Sequence, residues 1–274
     1  MKQADIPFSG ILHGVDYMDR YKTFSVDTCE HRCSSSRPSQ PSNCVDDVVK
    51  MAKQIQSEGF TYSLELNPTI AAEEGDEIWD GIEDKSRVFV TNDGVDPVLG
   101  HLLATKLTPD YDCENKMPYY NGTSGTGLEV SYVDYFSHQG SDFWIQQVKN
   151  LYSKIPFDGI FLKYNVPTNV DRTGETMKCP DNEGQFVPKY KASLDWEHLR
   201  DNTLCMASLH KRDLKIVSGM DTSCNEHYCA HNQYGMASIV ATAKAVEELN
   251  TLKRIQIDSV ATGRIRFFRH VYDS

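Results

Sequence analysis

Residues 8–17, FSGILHGVDY, are an apolar stretch ending in polar side chains, and they read as a strand. The Cys-, Ser- and Pro-rich segment 29–43 reads as a loop. Asp46 and Asp47 then open an amphipathic helix that carries Val48, Ala52 and Ile55 on one face and stops at Gly59. Residues 60–66, FTYSLEL, alternate with a period of two, and Asn67-Pro68 ends that strand. The short run at 87–90, RVFV, predicts another strand. Residues 105–130 are rich in Pro, Gly, Asn and Thr and read as a long excursion. A second helix is expected over 141–154, with Trp144, Val148 and Leu151 inward. A buried strand follows at 158–164, and residues 171–200 are irregular and polar. A third helix is expected over 233–249 through Met236, Ile239, Val240, Ala243 and Val246, and 254–259 closes the series as a strand. Strands alternating with helices predict a parallel α/β fold. Polar residues gather where the strands end, which is where barrels and doubly wound sheets place their sites. No internal repeat interrupts the series, and the only low-complexity tract is the serine run at 34–36.

Composition narrows the classes. With 274 residues, 39% hydrophobic and 24% charged, the chain has the make-up of an ordinary soluble globular protein. A net charge of -11 argues against nucleic acid and against an anionic membrane surface, both of which call for surplus Lys and Arg. No apolar run approaches the ~20 residues of a membrane helix. The opening MKQADIPFSGILHGVDYM has no hydrophobic signal core, because polar and charged residues interrupt it early. Eight cysteines and the sequon Asn121-Gly122-Thr123 point the other way, to an oxidising, secretory origin.

Six blocks carry a resemblance. They are HGVDYMDRYKTFSVD (13–27), GFTYSLELNPTI (59–70), IPFDGIFLKYNVPTN (155–169), TLCMAS (203–208), HYCAHNQYG (227–235) and SVATGRIRFFRH (259–270). In this order and spacing they resemble the catalytic barrel of family 31 glycoside hydrolases, the α-glucosidases of the sucrase-isomaltase and maltase-glucoamylase type. The resemblance implies a (β/α)8 TIM-barrel fold in one domain over 1–274, with insertions near 105–130 and 171–200. It also implies an incomplete barrel, from about the second strand to the sixth. An open barrel has unpaired strand edges. A protein partner, or the remainder of a longer chain, is the expected cover.

The residues that would do the chemistry are replaced. Retaining glycoside hydrolysis uses two carboxyl groups, one as nucleophile and one as acid/base. By the resemblance, the nucleophile position is Lys163 and the acid/base position is Ser274, with Asp273 one residue earlier. An ammonium cannot form a glycosyl ester and would repel an oxocarbenium-like transition state. Val166 stands where the family motif has Glu, Gly14 where it has the sugar-binding Asp, and Asn67 where its Asp-Pro strand has Asp. Leu12 and Val271 stand where it has Trp. Arg266 matches a family arginine, and with Asp16, Asn67 and Gly14 it marks the remnant of a substrate site. The expectation is an inactive α-glucosidase-like protein with a structural or binding role, the alternative being an active α-glucosidase.

Lys163 also raises two narrower expectations. Asp258 stands where the family has Arg, at the end of a neighbouring strand, which predicts a buried Lys163–Asp258 ion pair, since a lone buried lysine is costly. A strand-end lysine could instead form a Schiff base with a carbonyl substrate, with Tyr164 and Asp16 as candidate acid/base groups. No glycine pattern for phosphate and no second lysine accompanies it.

Among the cysteines, the resemblance implies a Cys179–Cys205 disulfide. Cys224 and Cys229 flank NEHY and can pair locally, as can Cys29 and Cys33 around EHR. The competing reading joins Cys29, Cys33, Cys224 and Cys229 in a tetrahedral zinc site. An even cysteine count with a sequon favours disulfides, so neither metal nor cofactor is expected. His227 and His231, at i and i+4, could face one way on a helix, and the structural reading of the pair is preferred.

Overall fold

Parallel pairing brings together segments that lie far apart in the sequence. A computed structural model of the chain describes residues 9–27, 45–91, 94–101, 129–163, 165, 167, 204, 208–214, 224–249, 256–259 and 267–268. Of 256–259 and 267–268 only the backbone enters the account.

The main sheet contains β1 (Gly10–His13), β2 (Thr61–Leu66), β6 (Gly159–Leu162), β7 (Gln256–Ser259) and β8 (Phe267–Phe268), in that spatial order. β1, β2, β6 and β7 run parallel, and β8 is antiparallel to β7. The main helices between the parallel strands are α1 (Val45–Ser57), α4 (His138–Lys154) and α6 (Tyr234–Glu248). This is the strand–helix alternation expected of a parallel α/β fold.

Local chemistry explains the boundaries. α1 buries Val48 and Ala52, and the chain leaves it through Gly59 at φ +83°, a left-handed conformation that a side chain would strain. α4 starts three residues earlier than the apolar period suggests, because the Ser137 hydroxyl accepts the Gly140 N–H and caps it. The expected inward residues Trp144, Val148 and Leu151 are all buried. At the foot of the sheet, the Asp158 carboxylate accepts the Tyr62 N–H at 2.9 Å and the Gln56 amide at 3.0 Å, fastening α1 and β2 to the approach of β6. Aromatic rings fill the space between sheet and helices. Trp144 meets Phe24 at 4.8 Å and Tyr135 at 5.3 Å, and Tyr135 meets Tyr234 at 5.3 Å.

Several expectations are corrected. Residues 87–90 are not a strand: Lys85–Val88 is a short helix, α3, and Phe89 forms only an isolated bridge to Val133 while its ring stacks on Trp79 at 5.5 Å. A four-residue apolar run is too short to reveal its period. Next, β3 (Thr69–Ala71), β4 (Leu99–His101) and β5 (Glu129–Tyr132) form a second, antiparallel sheet in the order β3-β5-β4. It sits within the long β2-to-β6 connection, alongside the short helix α2 (Glu77–Asp80). Lastly, α6 turns a different face inward. Tyr234, Ala237, Ser238, Ile239, Ala241, Thr242 and Ala245 are buried, whereas Met236, Val240, Ala243 and Val246 are only partly so. Small residues let α6 lie close against α4, where the Trp144 indole N–H donates to Thr242 Oγ1 at 2.9 Å. The strand expected at 8–17 is also shorter, and Val15–Tyr17 and Asp19–Tyr21 are 3-10 turns. The loop expected at 29–43 and the insertion at 171–200 lie outside the described residues, as does all of 105–130 but its last two.

Candidate functional site

Side chains alternate along a strand, so the register decides which of them share a face. Leu12 pairs with Ser63, and Glu65 pairs with Phe161, which in turn pairs with Asp258. One face therefore carries Leu12, Ser63, Glu65, Gly159 and Phe161, and the other carries His13, Tyr62, Leu64, Leu66 and Leu162. Tyr62, Leu64, Leu66 and Leu162 are fully buried.

Lys163 leaves the end of β6 on the first of these faces, its N–H donating to the Leu66 carbonyl at 2.9 Å. Its Nζ lies 3.2 Å from Glu65 Oε1 and 3.4 Å from Oε2. The Glu65 side chain is 8% exposed and that of Lys163 is 38% exposed. A carboxylate taken this far from water needs a cation, and Lys163 supplies it. The expected partner, Asp258, occupies a neighbouring strand at the register position of Phe161, but its side chain lies outside the described residues.

Gly14 faces the same carboxylate, since a Cβ built there would sit 4.0 Å from Glu65 Oε2. An aspartate at position 14, where the resemblance expects one, would confront Glu65 with a like charge. Asn67 follows β2 and is 4% exposed, and its Oδ1 has no hydrogen-bond partner among the described residues. A neutral amide tolerates that burial better than a carboxylate would. Asp16 sits exposed in the 3-10 turn after β1.

On the opposite face, His13 Nδ1 and the Tyr62 hydroxyl are 2.6 Å apart. Burial lowers the His13 pKa, and the charge of Asp16 partly opposes this. Burial raises the Tyr62 phenol well above its ordinary value. The Tyr17 hydroxyl donates to the Glu65 carbonyl at 2.8 Å, tying the turn after β1 to β2.

Of the positions singled out in the sequence, Gly14, Asn67 and Lys163 are thus gathered at the C-terminal ends of neighbouring parallel strands. Glu65 completes the group and was missed. Its signal was a lone charge in a strand whose other register is wholly apolar or aromatic. Tyr164, Val166, Arg266, Val271, Asp273, Ser274, Asn121, Cys179 and Cys205 lie outside the described residues. Cys224 and Cys229 form a disulfide with Cα atoms 6.2 Å apart. This corrects the zinc alternative, which required both as thiolates.

Parallel strands with intervening helices, and polar groups gathered at the strand ends, are the plan of a TIM-barrel enzyme domain. The chain belongs to glycosyl hydrolases family 31, the model of whose TIM-barrel domain matches residues 1–264. It is 23% identical to mouse lysosomal alpha-glucosidase over 273 residues, covering 98% of this chain and 23% of the relative. With human intestinal sucrase-isomaltase it shares 22% identity over 263 residues, covering 94% of this chain and 13% of the relative. Among solved structures, the alpha subunit of glucosidase II bound to Glc1Man2 superposes with a TM-score of 0.58 at 15% identity, covering 96% of this chain and 21% of that one. The chain therefore spans about a quarter or less of these relatives.

Proposed function

We propose that this chain is a catalytically inactive relative of the family 31 α-glucosidases, with a structural or binding role. The Lys163–Glu65 ion pair carries the reading. Retaining hydrolysis needs two carboxyl groups about 5–5.5 Å apart, one free to attack the anomeric carbon. At the nucleophile position stands an ammonium, and the Glu65 carboxylate is engaged with it at 3.2 Å. Gly14 and Asn67 remove two further charges that the resemblance expects around a sugar. The pair also weighs against Schiff-base chemistry, because a salt-bridged ammonium is the wrong form of lysine to attack a carbonyl.

The domain reading is a partial barrel spanning 1–274, with insertions near 105–130 and 171–200. Its open edges are covered by a protein partner or by the remainder of a longer chain. The much greater length of the relatives supports the second cover. A secretory compartment, with Asn121 glycosylated and Cys179 bonded to Cys205, fits the Cys224–Cys229 disulfide and the lysosomal and intestinal relatives. No helix among the described residues is long and apolar enough to cross a membrane.

Hydrolysis of a chromogenic α-glucoside by the purified chain, with Lys163→Asp alongside, tests the reading. Neither protein is expected to turn over substrate. In the variant an aspartate would face Glu65 with no cation between them and no acid/base partner at position 274. Turnover by the unmodified chain would restore the active α-glucosidase alternative.

A further inference from the structure

Away from the strand ends, four titratable side chains form an unbroken hydrogen-bonded line. Asp134 follows β5, and its Oδ1 lies 3.0 Å from His210 Nδ1. His210 Nε2 is 2.9 Å from Nδ1 of His227, which opens the short helix α5 (His227–Ala230). His227 Nε2 is 3.0 Å from Nδ1 of His231, in the 3-10 turn that leads into α6. Asp134, His210 and His227 are at most 2% exposed, whereas His231 is half-buried. Among the described residues, the outer nitrogen of His231, Nε2, has no partner and ends the line.

The carboxylate sets the direction of these bonds. Asp134 also accepts the Phe136 N–H at 3.1 Å and the Lys211 N–H at 2.8 Å, so three donors converge on it. An ionised carboxylate only accepts, so His210 carries its proton on Nδ1. In the neutral ring Nε2 must then accept, and His227 donates from Nδ1. By the same step His231 donates from Nδ1 and turns the lone pair of Nε2 outward.

We propose that Asp134, His210, His227 and His231 form a single-proton relay that takes up one proton at His231 and holds it as an internal His210–Asp134 ion pair. The proton binds His231 Nε2, and the Nδ1 proton of His231 passes to His227 Nε2. The Nδ1 proton of His227 then passes to His210 Nε2. One N–H bond breaks and one forms at each hop. His227 and His231 end neutral with their protons on Nε2, and the positive charge rests beside the carboxylate. A second proton would place two cations on hydrogen-bonded rings, so the line accepts one.

The surroundings disfavour a charge on the two outer rings. Burial, then the neighbouring His210 and His231 rings, lower the pKa of His227, and burial lowers that of His231. The charge is thereby directed to the ring beside the carboxylate. From α6, the Tyr234 ring stands 6.3 Å from both His210 and His227, with its hydroxyl donating to the Val133 carbonyl. Lys211 turns its ammonium to Gln139 and Asp213, and Arg212 donates to the Cys224 carbonyl with its guanidinium over Phe136. Glu226 precedes His227 as the N-cap of α5. The line joins the turn after β5, the 208–214 segment and the loop closed by the Cys224–Cys229 disulfide. Backbone bonds from His227 N to Ser208 O and from His210 N to Asn225 O, each 2.7 Å, run beside it. The His210–Asp134 pair thus lies at the junction of three segments.

Histidine side-chain 15N NMR on the full chain between pH 8 and pH 4 tests the relay. At pH 8 all three rings are expected to be protonated on Nδ1. On acidification they should shift with one shared midpoint and take up one proton in total, with His227 and His231 moving to the Nε2–H form. Separate midpoints, or an Nε2–H tautomer for His227 at pH 8, would overturn the proposal. His231→Gln, changed at the half-buried end where folding is least at risk, should move the midpoint of the remaining pair by about one pH unit, a tenfold change in proton affinity. An unmoved midpoint would also overturn it.

Discussion

Lys163 and Glu65 show how a single exchange alters a site. A salt bridge at a surface is worth little, but Glu65 is 8% exposed and depends on its cation. Lys163→Met should therefore destabilise the chain by about 1–2 kcal/mol, the cost of leaving a mostly buried acceptor unsatisfied. Adding Glu65→Met should recover part of that loss, because the orphaned charge goes with it. Urea midpoints of the unmodified chain and the two variants check both statements. If Lys163→Met matched the unmodified chain, the pair would carry no weight in the fold. Position 163 was legible because the block around it resembles the family's nucleophile strand. Glu65 was not, because attention fell on the residue two places on, Asn67, where the resemblance expected a carboxylate. Which charged atoms meet across β2 and β6 depends on register, and one strand read alone does not supply register. The Cys224–Cys229 pair was easier, since a separation of five residues keeps both thiols within reach.

At the level of elements, long periodic segments were readable and short ones were not. α1 and α4 announce themselves by an apolar face, and Gly59 marks a stop that its positive φ explains. The antiparallel sheet β3-β5-β4 left little trace, because its three- and four-residue strands are shorter than a period can resolve. On α6 the largest apolar residues do not mark the inward face: Met236, Val240 and Val246 are only partly buried. The buried face is instead mostly Ala, Ser and Thr, and Thr242 meets the Trp144 indole of α4. A close approach occurs where α4 begins. A Cβ at Gly140 would collide with the Asp134 carbonyl and lie 2.8 Å from that of Val88. Both are backbone atoms that cannot swing aside. Gly140→Ala is expected to cost about 1–3 kcal/mol by overpacking, measured as a lowered midpoint of thermal or urea unfolding. A neutral or stabilising result would mean that the first turn of α4 has room to shift.

For the whole molecule, the strand–helix alternation of the main sheet was legible in the periodicity and the family in six spaced blocks, whereas the second, antiparallel sheet was not. The histidines give the molecule a pH response whose direction is fixed. The pKa values of His13, His227 and His231 lie below those of the unfolded chain. Below about pH 6.5 the unfolded chain binds protons that the folded chain does not yet bind. Stability is therefore complete above that value and falls as the pH drops toward the folded values. Urea midpoints between pH 8 and pH 5 should decline on the acid side, and a midpoint that rises there would contradict the burial of these rings.

The proposed inactivity rests on an ammonium, Lys163, standing at the end of β6 where the resemblance expects a carboxylate free to attack a sugar. Intact-mass measurement after incubation with a glucose-configured epoxide, which esterifies the nucleophile of a retaining α-glucosidase, tests this most directly. The mass of the chain is expected to stay unchanged at saturating reagent. An adduct on a carboxylate at the ends of β2 or β6 would show a working nucleophile, and the inactive reading would then be wrong.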